Sequence, residues 1–224
     1  MTGPAPVLRA AGPVALIGAG PAPPEALAAC LARAAAVVAA DGGAAAAIAA
    51  GRMPDRVIGD LDSLAPGTVP ADRIVRVAGQ DDTDLEKCLA RIAAPLILGA
   101  GFLGGRVDHG LAAMNVLARR AAAGAPPCVL VGSEDAVFAV PRRLVLALRE
   151  GDRVSLFPMA PVAGRSEGLR WPIGGIGFAP DGRVGTSNRV AAPDGRVALA
   201  MDGPGMIGIV PASRLDAAIA GLTG

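Results

Sequence analysis

The chain contains no tyrosine, one tryptophan and four phenylalanines among 224 residues. So sparse an aromatic set argues against a base-stacking platform for single-stranded nucleic acid. Charge of one sign is not in surplus either. Lys plus Arg number 21 against 20 Asp plus Glu, a formal net charge of +1, so the basic footprint of a nucleic-acid binder is missing. The three cysteines, Cys30, Cys88 and Cys128, are odd in number and far apart. Neither a zinc cluster nor a disulfide framework is expected from them, and each reads as a buried thiol suited to a reducing cytoplasm. Long apolar runs are also lacking. Residues 26–50 are interrupted by Arg33, Asp41 and glycines and fall short of the roughly 20 apolar residues that cross a membrane. The first twenty residues carry one basic side chain, Arg9, and an apolar run broken by Gly12, Pro13 and Gly18. They are not read as a secretory signal.

What is present is an alternation of short apolar runs and helical patterns. Residues 14–19 (VALIGA), 36–40, 56–59, 73–77, 96–99 and 128–131 read as strands. Between them, residues 24–35, 44–50, 83–93 and 110–123 read as helices. The first has proline at its start. The third opens with Thr83 and Glu86 in a T-x-x-E capping box and carries Leu85, Leu89 and Ile92 as its apolar stripe. Buried strands interleaved with helices imply a mostly parallel sheet, with sites at the strand C-termini. Beyond residue 140 the texture changes to short runs at 153–157, 183–186, 196–201 and 206–210, separated by Gly, Pro and Asp, with a last helix at 212–222. An α/β domain over 1–143 followed by a smaller all-β domain over 144–224 is therefore expected.

Four aspartate-bearing motifs occur in order: ADGG (40–43), IGDLDS (58–63), QDDTD (80–84) and GGRVDHG (104–110). Clustered carboxylates repel one another unless a divalent cation sits among them, and such a cation serves enzymes that handle nucleoside triphosphates. In an extended segment Asp60 and Asp62 point to the same side, so both could face one cation, with Gly59 allowing close approach and Ser63 adding a hydroxyl. An Asp-rich surface turn is the alternative. Asp84 and Lys87 share a helix face, offering either an acid and an ammonium to metal and phosphate or a solvated ion pair. Gly104 and Gly105 allow a tight loop in which Arg106 can meet phosphate, although the G-K-[ST] ending of a Walker loop is absent. Asp108 and Asn115 share a helix face. His109, the sole histidine, reads either as a capping or core residue or as a catalytic one. Gly18-Ala19-Gly20 imitates a dinucleotide fingerprint, but Pro23 and Pro24 remove N–H groups where a pyrophosphate needs them. An oxidoreductase using that turn would leave the aspartates unexplained. Gly185-Thr186-Ser187-Asn188 reads as a β-turn, with a polar ligand edge as the alternative, and Trp171 as a core residue.

Taken in register, DGGA, GDLDS, QDDTDLEK, GGR-x-DH, VSLFP, GLRW and TSN resemble the thiamine pyrophosphokinase family over nearly the whole chain. The resemblance implies a Rossmann-like α/β nucleotide-binding domain, then a β-sandwich-like domain that binds thiamine, in a cytoplasmic homodimer with active sites at the subunit interface. It implies transfer of the pyrophosphoryl group of ATP to the thiamine hydroxyl with Mg²⁺, giving thiamine diphosphate and AMP. Nucleic acid and membrane are not expected partners. Residue by residue, it puts Asp60, Asp62 and Asp84 at the metal, with Asp108 and Lys87 completing the catalytic set. Asp41, Gln80 and Arg106 fall beside the phosphates, and Ser187 and Asn188 on the thiamine side. Where the family often has a thiamine-stacking aromatic, this chain has Pro204-Gly205-Met206, with Met206 as a soft substitute. A related pyrophosphokinase acting on another heterocyclic alcohol, such as a hydroxymethylpterin, and a non-catalytic nucleotide or thiamine sensor are the alternatives.

Overall fold

The structure is a computed structural model that describes residues 4–62, 64–79 and 82–224. It is a mixed α/β protein whose chain divides into two compact units, residues 1–113 with 130–133 and residues 114–129 with 134–224. Among the described residues, no helix is long and apolar enough to cross a membrane.

In the first unit the elements follow the chain as β1 (Leu8–Arg9), β2 (Val14–Ile17), α1 (Pro24–Arg33), β3 (Ala36–Ala40), α2 (Gly43–Ala49), β4 (Arg56–Gly59), β5 (Ile74–Arg76), α3 (Asp84–Leu89), β6 (Ile92–Ala93) and β7 (Ile97–Ala100). The division between the units passes through α4 (Val107–Ala122) and β8 (Cys128–Val131). Strands run in the order β7-β2-β3-β4-β5, and every one of these pairings is parallel. Strands β2, β3 and β7 are almost wholly buried, which is why they read as unbroken apolar runs without alternation. The register Ala40↔Ile58 and Ile17↔Ala100 aligns the strand C-termini, so the loops that follow β2, β3, β4 and β7 leave from one edge of the sheet.

Helix α3 stops at Leu89 and does not run on to residue 93. Ile92, expected on its apolar stripe, instead lies on β6 and pairs with Leu8 of β1. Helix α4 starts at Val107, three residues earlier than the sequence suggests, so Asp108 and His109 occupy its first turn.

The second unit contains β9 (Asp135–Ala139), β10 (Arg143–Ala147), β11 (Arg153–Pro158), β12 (Val162–Glu167), β13 (Gly177–Phe178), β14 (Gly185–Arg189), β15 (Arg196–Met201), β16 (Met206–Pro211) and α5 (Leu215–Thr223). The pairings among strands β9 to β16 are antiparallel. One set runs β14-β11-β16-β9 and another β10-β15-β12-β13. The alternating burial of β10 and β15 shows one face against the core and one toward solvent. Two half-buried ion pairs brace this unit. Arg214 donates from Nε and Nη2 to the two oxygens of Asp152, at 2.5 and 3.0 Å, and Arg153 pairs with Asp135.

Two readings from sequence are corrected here. The segment from Gly185 is strand β14 and not a β-turn, because Arg189 and Asn188 are in register with Arg153 and Val154 of β11. Trp171 is 53% exposed, with the Arg170 guanidinium 5.1 Å from the ring centre, and is not a core residue.

Candidate active site

The acidic centre is assembled at the C-terminal edge of β3 and β4. Asp41 follows β3 in a left-handed conformation (φ 44°), which Asp tolerates better than most side chains. Its backbone N–H donates to the Ile58 carbonyl at 3.0 Å, extending the β3–β4 register by one step and turning the carboxylate toward the β4 loop. Gly59 makes room for it: a Cβ at that position would lie 2.9 Å from the Asp41 Cβ. Gly43 is needed behind it, since a Cβ there would stand 2.1 Å from the Ile17 carbonyl oxygen. Asp41 itself is only 4% exposed.

Asp60 and Asp62 do not sit in an extended segment. Leu61 between them has φ 70°, so the chain turns after β4, and the carboxylates are brought together by that turn and not by strand alternation. One oxygen each from Asp41, Asp60 and Asp62 lies within 4.8 Å of the other two. Two like unit charges about 5 Å apart repel by roughly 3 kcal/mol at an effective dielectric near 20. Three such groups, one of them buried, are therefore a natural seat for a hard divalent cation, which takes oxygen ligands. Of the three acids expected at a metal, Asp60 and Asp62 thus converge with Asp41, while Asp84 is engaged elsewhere.

Asp84 opens α3, which is capped as its sequence suggests: Thr83 Oγ1 accepts from the Glu86 N–H at 3.3 Å. One turn on, Lys87 is 5% exposed and donates from Nζ to Asp84 Oδ1 at 3.3 Å. The pair is asymmetric, since the Asp84 side chain is 47% exposed. A cavity of about 660 Å³ links these groups, and its wall includes Asp60, Asp84, Lys87, Arg106 and His109. Histidine 109 is thus exposed on α4 at the cavity, not a core residue.

Asp108 lies beside this cavity without being among the residues that line it. It takes a forked pair of hydrogen bonds from Arg106, at 3.1 Å from Nε and 2.5 Å from Nη2, and its Oδ1 also accepts the His109 N–H at 3.0 Å. The Arg106 hydrogen bonds hold its carboxyl below the usual carboxylate range. Asp108 therefore aims the guanidinium, which does line the cavity. Gln80 and Ser63 lie outside the described residues.

Ser187 and Asn188 are on β14 in the second unit. Asn188 is 7% exposed and its amide is committed to backbone. Its Oδ1 accepts from the Trp171 and Arg189 N–H groups at 3.2 and 2.8 Å, and its Nδ2 donates to the Trp171 carbonyl at 2.7 Å. Ser187 keeps an exposed side chain at φ 62°, and its N–H donates to Ser155 Oγ. Met206 is completely buried on β16 and presents no surface to a ligand. The three cysteines are buried and free, with burial pushing the Cys30 thiol up to about 12. Thr83, read from sequence only as a helix cap, also lines the cavity, and wall residues that the sequence did not single out include Phe102, Leu103 and Ala113. Only Phe102, a rare aromatic directly after G-A-G, carried a usable signal.

Known proteins resemble this chain in sequence and in fold. Residues 27–128 match the family model "Thiamin pyrophosphokinase, catalytic domain". Thiamine pyrophosphokinase 1 of Oryza sativa subsp. japonica is 31% identical over 159 residues, covering 61% of this chain and 59% of that protein. Thiamine pyrophosphokinase 3 of the same plant is 31% identical over 163 residues, covering 61% and 58%. The chain thus spans about three fifths of the length of these curated relatives. Among solved structures, thiamin pyrophosphokinase from Candida albicans superposes with a TM-score of 0.76 at 16% identity, covering 90% of this chain and 89% of that one. The Geobacillus thermodenitrificans thiamin pyrophosphokinase gives 0.72 at 22% identity, covering 92% and 99%. Those likenesses, at such identities, speak to the fold. The family-model match covers residues 27–128, a little under half of the chain, and over that stretch the chain is similar to thiamin pyrophosphokinase catalytic domains.

Proposed function

We propose that this chain is a thiamine pyrophosphokinase, transferring the pyrophosphoryl group of ATP to the thiamine hydroxyl with release of AMP. The observation that carries the reading is the convergence of Asp41, from the loop after β3, with Asp60 and Asp62, from the turn after β4, beside a cavity also lined by Lys87 and Arg106. Acids that share a cation, next to two fixed positive groups, suit a triphosphate and little else of that size.

Asp41, Asp60 and Asp62 would hold Mg²⁺, which when bound offsets charge on the phosphoryl oxygens. Lys87 supplies a point charge whose position is fixed by its pairing with Asp84, and Arg106 a planar fork held by Asp108. Both donors are oriented before substrate arrives, so little reorganisation is needed as charge builds on the transferred group. The thiamine hydroxyl attacks the β-phosphorus in line, and AMP leaves. With Asp60 assigned to the cation, His109, Asp82 and the free edge of Asp84 are cavity groups able to accept the hydroxyl proton.

The organisation that goes with this function is a Rossmann-like ATP-binding domain over 1–143 and a β-sandwich-like thiamine-binding domain over 144–224. It includes a cytoplasmic homodimer with active sites at the subunit interface, and Ser187 on the thiamine side. Parallel pairing of β2 to β5 supports an α/β part and antiparallel pairing among β9 to β16 a β part, with β9 falling in the second compact unit. Sedimentation of the purified chain tests the dimer. The direct test is AMP release from ATP. It should require Mg²⁺ and thiamine together. AMP appearing with a hydroxymethylpterin and not with thiamine would transfer the chain to a sister activity, and tight nucleotide binding with no AMP from any alcohol would make it a sensor.

A further inference from the structure

Phe102 occupies a position that the acidic motifs do not explain. The chain passes from β2 outward through β3, β4 and β5, then returns to place β7 on the other side of β2. The C-terminal ends of β2 and β7 are therefore the switch point of the parallel sheet, the crevice where such sheets take ligands. The loops leaving those two strands are knitted together there, with the Gly20 N–H donating to the Gly101 carbonyl at 3.1 Å. Gly101, at φ 84°, turns the next residue back over the crevice.

That residue is Phe102. Its ring lies across both strand ends, since a Cβ on Gly18 would meet its Cε1 at 2.8 Å and one on Gly99 its Cδ2 at 3.3 Å. Glycine at both positions leaves a seat for the ring. The ring is half-buried and lines the same cavity as Asp60, Asp84, Lys87 and Arg106. In a chain with five aromatic side chains, one is thus placed at the switch point with its remaining surface toward the polar cavity.

We propose that Phe102 is the stacking platform for the base of the nucleotide. The inference rests on the reading of this cavity as a triphosphate site. A base is tethered through its ribose to the phosphates that Lys87 and Arg106 would hold, so it must settle on a wall of the same cavity. A neutral planar base needs a π face and apolar edges, which Phe102, Leu103 and Pro21 supply. A cationic thiazolium is disfavoured on a wall shared with Lys87 and Arg106. Stacking on a single phenyl ring carries no hydrogen-bond readout, so the base adds affinity with little discrimination between purines.

The test compares binding of Mg·ATP and Mg·tripolyphosphate, a probe with the phosphates but no base, to the full chain by calorimetry without thiamine. Phe102→Ala and Phe102→Leu should each weaken Mg·ATP by roughly tenfold and leave Mg·tripolyphosphate unchanged, while Phe102→Trp restores ATP binding. Unchanged tripolyphosphate binding also shows that the variants are folded. Equal losses for both ligands would make Phe102 a packing residue and overturn the proposal, as would unchanged ATP affinity or a rise confined to the KM for thiamine. Thiamine-dependent AMP release by the unaltered chain is scored separately. Its failure would sink the proposed reaction while the nucleotide result still decides the role of Phe102.

Discussion

Replacing Gly59 with alanine tests the acidic centre through its scaffold, leaving every carboxylate in place. The added methyl would lie 2.9 Å from the Asp41 Cβ and 3.4 Å from its Cα and Cγ. Ordinary contact between such carbons begins near 3.5–4.0 Å, so one group must move by roughly 0.5–1 Å. Asp41 has little freedom to yield. It is buried, held in a left-handed conformation, and fixed through its N–H to Ile58. Overpacking of this kind costs about 1–3 kcal/mol, which for a chain of this size is a fall in Tm of roughly 2–12 °C. The functional cost should be larger, because a misplacement near 1 Å can lower a rate by about 10²-fold. The assay pairs thermal melts with and without Mg²⁺ against Mg²⁺-dependent AMP release. Gly203→Ala is the control, since a Cβ there meets nothing within 4 Å. If Gly59→Ala turned over normally, with the same Mg²⁺ dependence as the unaltered chain, the position of Asp41 would be irrelevant and the three-acid centre would be refuted.

Asp60→Asn and Asp62→Asn should each lower AMP release by roughly 10²-fold while the melting curve stays cooperative, and full turnover in either removes that residue from the metal site. Lys87→Met keeps the stem and removes the buried ammonium. We expect turnover to fall by about 10²-fold or more with a stability change of no more than about 1 kcal/mol, because Asp84 can hydrate; loss of folding in place of activity would assign Lys87 to structure. In the second unit, Asp152→Asn should cost about 2–3 kcal/mol, read from urea melts at pH 7, since it strips both Arg214 hydrogen bonds of their charge. The Arg214 bonds, helped by the Arg149 N–H, lower the Asp152 pKa in the folded chain. Its contribution is therefore present above the unfolded value near 4 and is lost as pH falls through the lower folded one. The variant's stability should accordingly fall less steeply in acid than that of the unaltered chain, and parallel acid limbs would discount the pair.

The sequence by itself determined what depends on near neighbours. Proline at the head of α1, the Thr83 cap on α3 and the apolar runs of β2, β3 and β7 were legible because their causes lie within a few residues. The ordered aspartate motifs likewise pointed to a candidate cation site, since carboxylates brought close repel one another unless a cation lies among them. Tertiary structure decided the rest through contacts between distant segments. Pairing of Ile92 with Leu8 ended α3 early, and pairing with β11 made a strand of the GTSN segment. Asn188, expected at thiamine, was spent on the backbone of Trp171, and Met206 was sealed in β16. The acidic centre itself belongs to both levels. Sequence named Asp41, Asp60 and Asp62. Only the register Ala40↔Ile58 and the turn at Leu61 bring them within reach of one ion, because a carboxylate twenty residues away becomes a neighbour only when parallel strands align their ends.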